Sequence, residues 1–250
     1  MASLKEVKGR IASVNNTRKI TSAMKMVASA KLHKAQAAIE SMLPYERRLH
    51  HILTDFMSNC TEVTSPFIVK REVKKVAVVV FASNTSLCGG FNANVIRHLV
   101  DLLAEYKPLG LENILVFPVG KKVADAVRKL GFRIEGDFQH MADKPSYQEA
   151  ADLAADLMKR FLHGDVDKVE LLYNHFKSTA SQTLTRETYL PIDLNNEKKE
   201  EERTIDYILE PSAEELMQEM LPKVLRMKMF TVLLDSNAAE HAARTMAMQI

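Results

Sequence analysis

The segment at residues 87–92 (LCGGFN) is the part of this sequence that most nearly resembles a phosphate-binding turn. A Gly-rich turn between a strand and a helix can hold phosphate against the backbone N–H groups that begin the helix. The segment matches neither GxGxxG nor GxxxxGK followed by Ser or Thr, and it contains no basic residue. We therefore favour a tight turn whose glycines let the strand and the helix pack closely. A Rossmann-like nucleotide-binding enzyme is the alternative that this turn leaves open.

The histidines and cysteines show no pattern of a metal or catalytic site. His50 and His51 are adjacent, so on a helix they point about 100° apart and cannot share a metal. The other histidines have no ligand spacing with one another. Cys60 and Cys88 do not form a CxxC pair, and no Ser, His and Asp stand in a nucleophile-elbow context. The sequence therefore predicts no catalytic residue, no metal and no cofactor.

The charge of the chain is balanced overall but strongly basic at one end. Of 250 residues 46% are hydrophobic and 26% charged, and the formal net charge is +2, which does not predict a nucleic-acid binder. Within the first 34 residues, however, Glu6 is the single acidic side chain. The basic side chains there are Lys5, Lys8, Arg10, Arg18, Lys19, Lys25, Lys31 and Lys34. A basic coiled-coil adaptor for a membrane surface or nucleic acid is thus a second alternative.

Residues 1–57 predict one long amphipathic helix. Apolar residues follow heptad spacing in two runs, with a shift of register between them at residues 15–19. The runs are Leu4, Val7, Ile11 and Val14, then Ala28, Leu32, Ala35, Ile39 and Met42. Pro44 is expected to kink or interrupt the helix. A helix over residues 3–57 would be roughly 80 Å long, so it must project from any globular domain. Nothing in the sequence has the run of about 18 apolar residues that a membrane span requires.

Residues 206–250 predict a second amphipathic helix, which most simply pairs with the first. Its stripe consists of Leu216, Met220, Val224, Met227 and Leu234. From residue 238 onward the apolar positions become alanines, which let another helix approach closely. We expect these alanines to pack near residues 20–30, with Glu240, His241 and Arg244 on the outer face.

The central residues 74–194 alternate between strand and helix patterns. Buried strands are predicted at residues 74–83 and 112–120, and further strands at 168–173 and 182–190. Helices are predicted at residues 93–106, 121–130 and 147–162. This order is typical of a doubly wound sheet, here mixed at one edge. The predicted fold class is therefore α/β, with an antiparallel coiled coil of the N- and C-terminal helices and a central Rossmann-like α/β domain.

Three motifs together resemble the gamma subunits of F-type ATP synthases of the bacterial type. They are residues 20–28 (ITSAMKMVA) with Lys31, residues 87–92, and residues 240–244 (EHAAR) with Ala247 and Met248. They lie in the family's order and spacing and extend over nearly the whole chain. Ser86 stands where the family usually has Gly. The family also continues for some tens of residues beyond the position of Ile250, so the C-terminal helix is expected to lack its last part.

The resemblance implies a non-catalytic rotor. The coiled coil would turn inside a ring of alpha and beta subunits, and the α/β domain would lie beside the epsilon subunit and the proton-driven c-ring. Rotation would then change the conformation of the catalytic sites. The protein would lie peripherally on the cytoplasmic face of a bacterial inner membrane.

The resemblance also implies site residues. Met24, Lys25, Glu240 and Arg244 would contact the catch loop of beta, and Tyr207 and Glu210 would belong to the foot on the c-ring and epsilon. It implies no cofactor and no nucleic acid.

Overall fold

The computed structural model describes residues 3–59, 65–192 and 213–249. Its helices are α1 (Leu4–Asn59), α2 (Phe91–Tyr106), α3 (Lys121–Leu130), α4 (Gln139–Asp143), α5 (Tyr147–His163) and α6 (Ala213–Ala247). Its strands are β1 (Val76–Phe81), β2 (Ile114–Val119), β3 (Arg133–Ile134), β4 (Lys168–Ser178) and β5 (Ser181–Leu190). The sequence patterns predicted each of these elements except β3 and α4, which are too short to show a period.

Helix α1 is a single helix of 56 residues, rich in alanine and lysine. At 1.5 Å per residue it is about 84 Å long. The predicted interruption at Pro44 does not occur, because the helix continues through this residue to Asn59.

The five strands form one mixed sheet in the order β3-β2-β1-β4-β5. All neighbouring pairs are parallel except β4 and β5, which are antiparallel. The predicted sheet with one mixed edge is therefore confirmed. Every residue of β1 and β2 is buried, which agrees with their continuous apolar sequences.

Each face of the sheet is covered by a layer of helices. Val78 of β1 faces α2 and α3, where it shares a core with Leu99 and Val123. Val79, one residue later, shares the opposite core with α5 and α6, including Leu157 and Leu225. Helix α6 is therefore a structural layer of the central domain as well as a partner of α1.

The seam between α1 and α6 is antiparallel. The charge of Lys31 acts on Glu240 and His241, whereas Leu49, further along α1, packs against the core to which α6 supplies Leu225. The positions on α6 therefore decrease as those on α1 increase. These paired helices and the central sheet confirm the predicted fold class.

One apolar cluster of the seam lies further along α1 than expected. Leu32 and Ala35 form a cluster with Ala238 and Ala242, and Ile39 packs against it. The α1 partners of Ala238 and Ala242 in this cluster therefore lie at residues 32–39 and not within the predicted range of residues 20–30. Ile20 itself is 61% exposed, because the register of the two helices places the alanines further along α1.

The first apolar run of α1 is exposed along its whole length. Leu4, Val7, Ile11 and Val14 have exposed fractions of 42–74%, since no described element packs on this part of the helix. Among the described residues, none of the helices combines the length and the hydrophobicity that a membrane span requires.

Candidate functional site

Polar side chains in the stretch of helix α6 from Asp235 to Arg244 join this helix to the central domain. Asp235 accepts a hydrogen bond of 2.8 Å from the backbone N–H of Phe176 at the end of β4. Asn237 donates one of 2.9 Å to the carbonyl oxygen of Ala142 in α4. Arg244 reaches the turn between β1 and α2. Three separate parts of the domain are therefore attached to one stretch of this helix.

The turn at residues 83–92 has its own internal framework. Asn92 accepts a hydrogen bond of 3.0 Å from the backbone N–H of Ser83 through Oδ1. The amide nitrogen of Asn92 lies 2.8 Å from Oγ of Ser83 and 3.1 Å from Sγ of Cys88, which is buried. This side chain fixes the base of the turn because it bonds to residues on both arms.

The tip of the same turn carries backbone strain. Leu87 has a φ of 67°, in the left-handed region that a side chain other than glycine rarely adopts, and it is 60% exposed. This conformation costs about 1–2 kcal/mol, which other contacts must offset. A Cβ at Gly89, whose φ is 59°, would lie 3.9 Å from Cβ of Ala247, so this part of the turn lies next to helix α6.

Arg244 supplies contacts to this tip from α6. Its guanidinium donates to the carbonyl oxygen of Ser86 and, over 2.9 Å, to Oγ1 of Thr85. The same group forms an ion pair with Glu240 at 2.6 Å. The Gly-rich turn, which contains no basic residue, thus receives a cation from a helix 158 residues away in sequence.

Arg244 was expected on the outer face of α6, but its side chain is only 11% exposed. Glu240 and His241 were expected on the same face. They are only 6% and 7% exposed, because this part of α6 is enclosed by α1 on one side and the central domain on the other. Burial raises the pKa of Glu240, and the hydrogen bond and charge of Arg244 oppose this rise. The expectation was wrong because it considered only the apolar face of α6 that packs on α1. The contacts of α6 with the central domain bury further faces of the same helix.

His241 is kept neutral by its surroundings. Burial, together with the positive charges of Lys31 and Arg244, lowers its pKa to about 4. Its Nδ1 is buried and has no hydrogen-bond partner. A proton on this ring would therefore lie close to two cations in a desolvated seam.

The other predicted site residues are not brought to this position. Met24 and Lys25 are half-buried on α1, toward its N-terminus from the seam cluster. No hydrogen bond or ion pair between the described residues joins them to Glu240 or Arg244. Lys31 is instead the α1 side chain whose charge acts there, and its place in the first motif was the only signal for it. Tyr207 and Glu210 lie outside the described residues.

The crevice where a doubly wound domain would bind a ligand is occupied by α6. Such ligands bind at the carboxyl ends of the strands. Here the ends of β1 and β2 meet Ser236, Asn237 and Glu240 around a cavity of about 10 Å³. That volume holds about one water molecule, whereas ligand pockets measure about 300–1,000 Å³. No group of three or more potential metal ligands occurs among the described residues. The arrangement is suited to holding elements together.

Known proteins match this chain over nearly its whole length. The family model described as ATP synthase matches residues 3–250. The ATP synthase gamma chain of Phocaeicola vulgatus is 81% identical, over 100% of this chain and 87% of that protein. The ATP synthase gamma chain of Bacteroides fragilis is 61% identical with the same two coverages.

A solved structure shares the fold. It is the cryo-EM structure of the Tetrahymena thermophila mitochondrial ATP synthase, central stalk and c-ring. The match has a TM-score of 0.63 at 22% identity and covers 92% of this chain and 98% of that one.

Proposed function

The chain belongs to the ATP synthase gamma chain family, and from this membership we propose how it acts as the central rotor stalk of an F-type ATP synthase. It is a non-catalytic subunit that couples rotation of a proton-driven c-ring to conformational change in an alpha–beta hexamer. The angle of the rotor acts as an effector, because an asymmetric helix pair presents a different face to each beta subunit and stabilises a different conformation there.

The observation that carries this proposal is the double role of α6. The helix forms the seam with α1 through Ala238 and Ala242, and it forms the core of the central domain through Leu225. The two bodies therefore share one continuous helix of 35 residues. Torque applied to the central domain reaches the coiled coil without passing through a flexible linker.

The partners follow from the rotor function. The projecting half of α1 enters a ring of alpha and beta subunits, and the central domain lies beside epsilon and the c-ring. We propose that the chain lies peripherally on the cytoplasmic face of a bacterial inner membrane. The basic residues of α1 between Lys5 and Lys19 are exposed and would meet acidic or polar groups lining the ring.

Met24, Lys25, Glu240 and Arg244 form the proposed contact region for the catch loop of beta. Charge-assisted hydrogen bonds are worth about 1.5–3 kcal/mol when shielded from water, but an exposed ion pair is worth only about 0–1 kcal/mol. Glu240 is buried and paired with Arg244, so its contribution is to orient that guanidinium. Tyr207 and Glu210 are the proposed foot on the c-ring and epsilon.

Co-expression with alpha and beta subunits of an F-type ATP synthase tests this function. We expect the three chains to co-purify and to hydrolyse ATP faster than alpha and beta alone. Lys25→Ala should lower turnover more than it lowers assembly, whereas Lys34→Ala, on the exposed side of the same helix, is the matched control. Failure to co-purify, with the isolated chain turning over a nucleotide, would favour the Rossmann-like enzyme instead.

A further inference from the structure

We infer that Arg244 is a positioning residue that clamps the strained turn between β1 and α2 to helix α6. This inference deepens the rotor function, since it identifies a connection inside the chain between the helix pair and the central domain. It does not require a partner subunit, so it can be tested on the chain alone.

The contacts of Arg244 carry the inference. A guanidinium has five N–H donors in a fixed plane, and here they serve the Ser86 carbonyl oxygen, Thr85 Oγ1 and Glu240 Oε1. The side chain of Arg244 is 11% exposed and that of Glu240 8%. The ion pair therefore fixes the direction of the guanidinium, which lies between its own helix and the turn.

The turn needs a contact of this kind at its tip. The side chain of Asn92 bonds to Ser83, to the carbonyl oxygen of Thr85 and to Cys88. None of these three bonds involves Ser86, and the next residue, Leu87, has a left-handed backbone and an exposed side chain. The acceptor of Arg244 at Ser86 is the residue directly before Leu87. Release of that acceptor would let the strained peptide relax.

Relaxation of the turn would expose Cys88. Cys88 is 1% exposed, and it shares an apolar cluster with Phe91 of α2 and Ala239 of α6. Cys88 is therefore a reporter of whether the turn is held on the helix. The clamp predicts that the end of β1 moves with α6 as one body.

The test measures the labelling rate of Cys88 by a thiol reagent in the folded chain, with Cys60→Ser introduced to leave one cysteine. Arg244→Ala is expected to increase the rate about tenfold or more, because local opening of the turn becomes easier. Arg244→Lys should give a smaller increase, because the three donors of an ammonium share one nitrogen and lack the planar fork with which Nη1 and Nη2 of Arg244 reach these acceptors. Arg128→Ala, which removes an exposed ion pair with Asp125 on α3, should leave the rate unchanged.

Two further variants separate opening of the turn from loss of overall stability. Val123→Ala creates a cavity in the core between the sheet and α3, and it should lower stability without accelerating labelling at low denaturant. Thr85→Val removes one acceptor from an exposed position with little change of shape, and it should accelerate labelling even if Arg244→Ala fails to fold. Equal labelling rates in Thr85→Val and the parent chain, or the same acceleration in Val123→Ala as in the Arg244 variants, would overturn the clamp.

Discussion

At the scale of single residues, the site depends on charges that the fold removes from water. Glu240 and Arg244 are four residues apart and pair on one face of α6, while His241 turns toward the seam and Lys31. Neighbouring residues on one helix thus have opposite requirements, since the carboxylate is paired and the imidazole must stay neutral. Stability at this point therefore depends on pH.

His241 makes the first prediction at this scale. Its pKa is 6.5 in the unfolded chain and about 4 when folded, so stability is lost as the pH falls from 6.5 toward 4. His241→Gln removes this dependence. The free energy of unfolding of the parent relative to this variant should decrease by about 2 kcal/mol between pH 7 and pH 5, as measured by urea denaturation.

The raised pKa of Glu240 has the opposite sign, because the folded chain binds that proton more readily and acid then favours folding. Both proteins retain Glu240, so the difference isolates His241. Parallel stability curves for the parent and His241→Gln between pH 7 and pH 5 would contradict the prediction.

Gly120 makes the second prediction. Its φ is 112°, and a Cβ at this position would overlap the carbonyl oxygen of Ala82. Gly120→Ala should lower the free energy of unfolding by about 3 kcal/mol or more, through backbone strain and displacement of β1 from β2. Gly131→Ala is the control, since its φ of 77° and ψ of 14° are left-handed helical and the space around it is open, whereas Gly120, with φ 112° and ψ 145°, has a backbone that essentially only glycine adopts. It should cost only about 1–2 kcal/mol, and equal losses would contradict the argument.

At the scale of elements, α6 determines how the domain and the helix pair are related. Its alanines face α1, its larger apolar residues face the sheet, and its polar residues bond to the ends of β4, α4 and the β1–α2 turn. Three faces of α6 thus make contacts with other parts of the chain. The small size of Ala238 and Ala242 allows α1 to approach closely while α6 stays on the sheet.

A substitution at Ala242 tests this close approach. Ala242 is 0% exposed in the seam, so Ala242→Leu must push α1 away or displace α6 from the sheet. The expected cost is about 1–3 kcal/mol in the free energy of unfolding, followed by circular dichroism. Ala37→Leu, on the exposed face of α1, should change stability little. If Ala242→Leu leaves the free energy of unfolding unchanged, the two helices do not pack closely at this position and the prediction is wrong.

At the scale of the whole molecule, contacts are distributed unevenly along α1. From Ala28 onward the helix has buried positions in the seam, whereas the earlier residues are nearly all exposed. Isolated helices are only marginally stable in water, since most helical stability in proteins comes from packing. The free chain should therefore open locally at this end far more often than in its central domain.

Limited trypsin digestion tests this difference. Cleavage after the basic residues between Lys5 and Lys25 should precede cleavage after Lys129, which is exposed but lies in the packed helix α3. Assembly with alpha and beta subunits should slow the early cleavage, because the rotor proposal places this segment inside the ring. Equal cleavage rates in the segment from Lys5 to Lys25 and after Lys129, or no protection of that segment on assembly, would contradict this prediction.

The sequence alone determined the elements and the family. Helical and strand periods are local properties, so long patterns such as residues 1–57 and the apolar run of β1 predicted α1 and the buried strand directly. The short elements β3 and α4 were not predicted, because two and five residues are too few to show a period. The division into segments 1–57, 74–194 and 206–250 stays a prediction.

Tertiary structure alone decided which side chains meet. Arg244 and Ser86 are 158 residues apart, and nothing near either residue indicates the other. The same holds for Lys31 and His241, whose proximity follows from the register of two helices. Periodicity identifies the face that a helix buries, but a helix enclosed by both α1 and a sheet buries several faces, and only packing shows which polar groups then need partners.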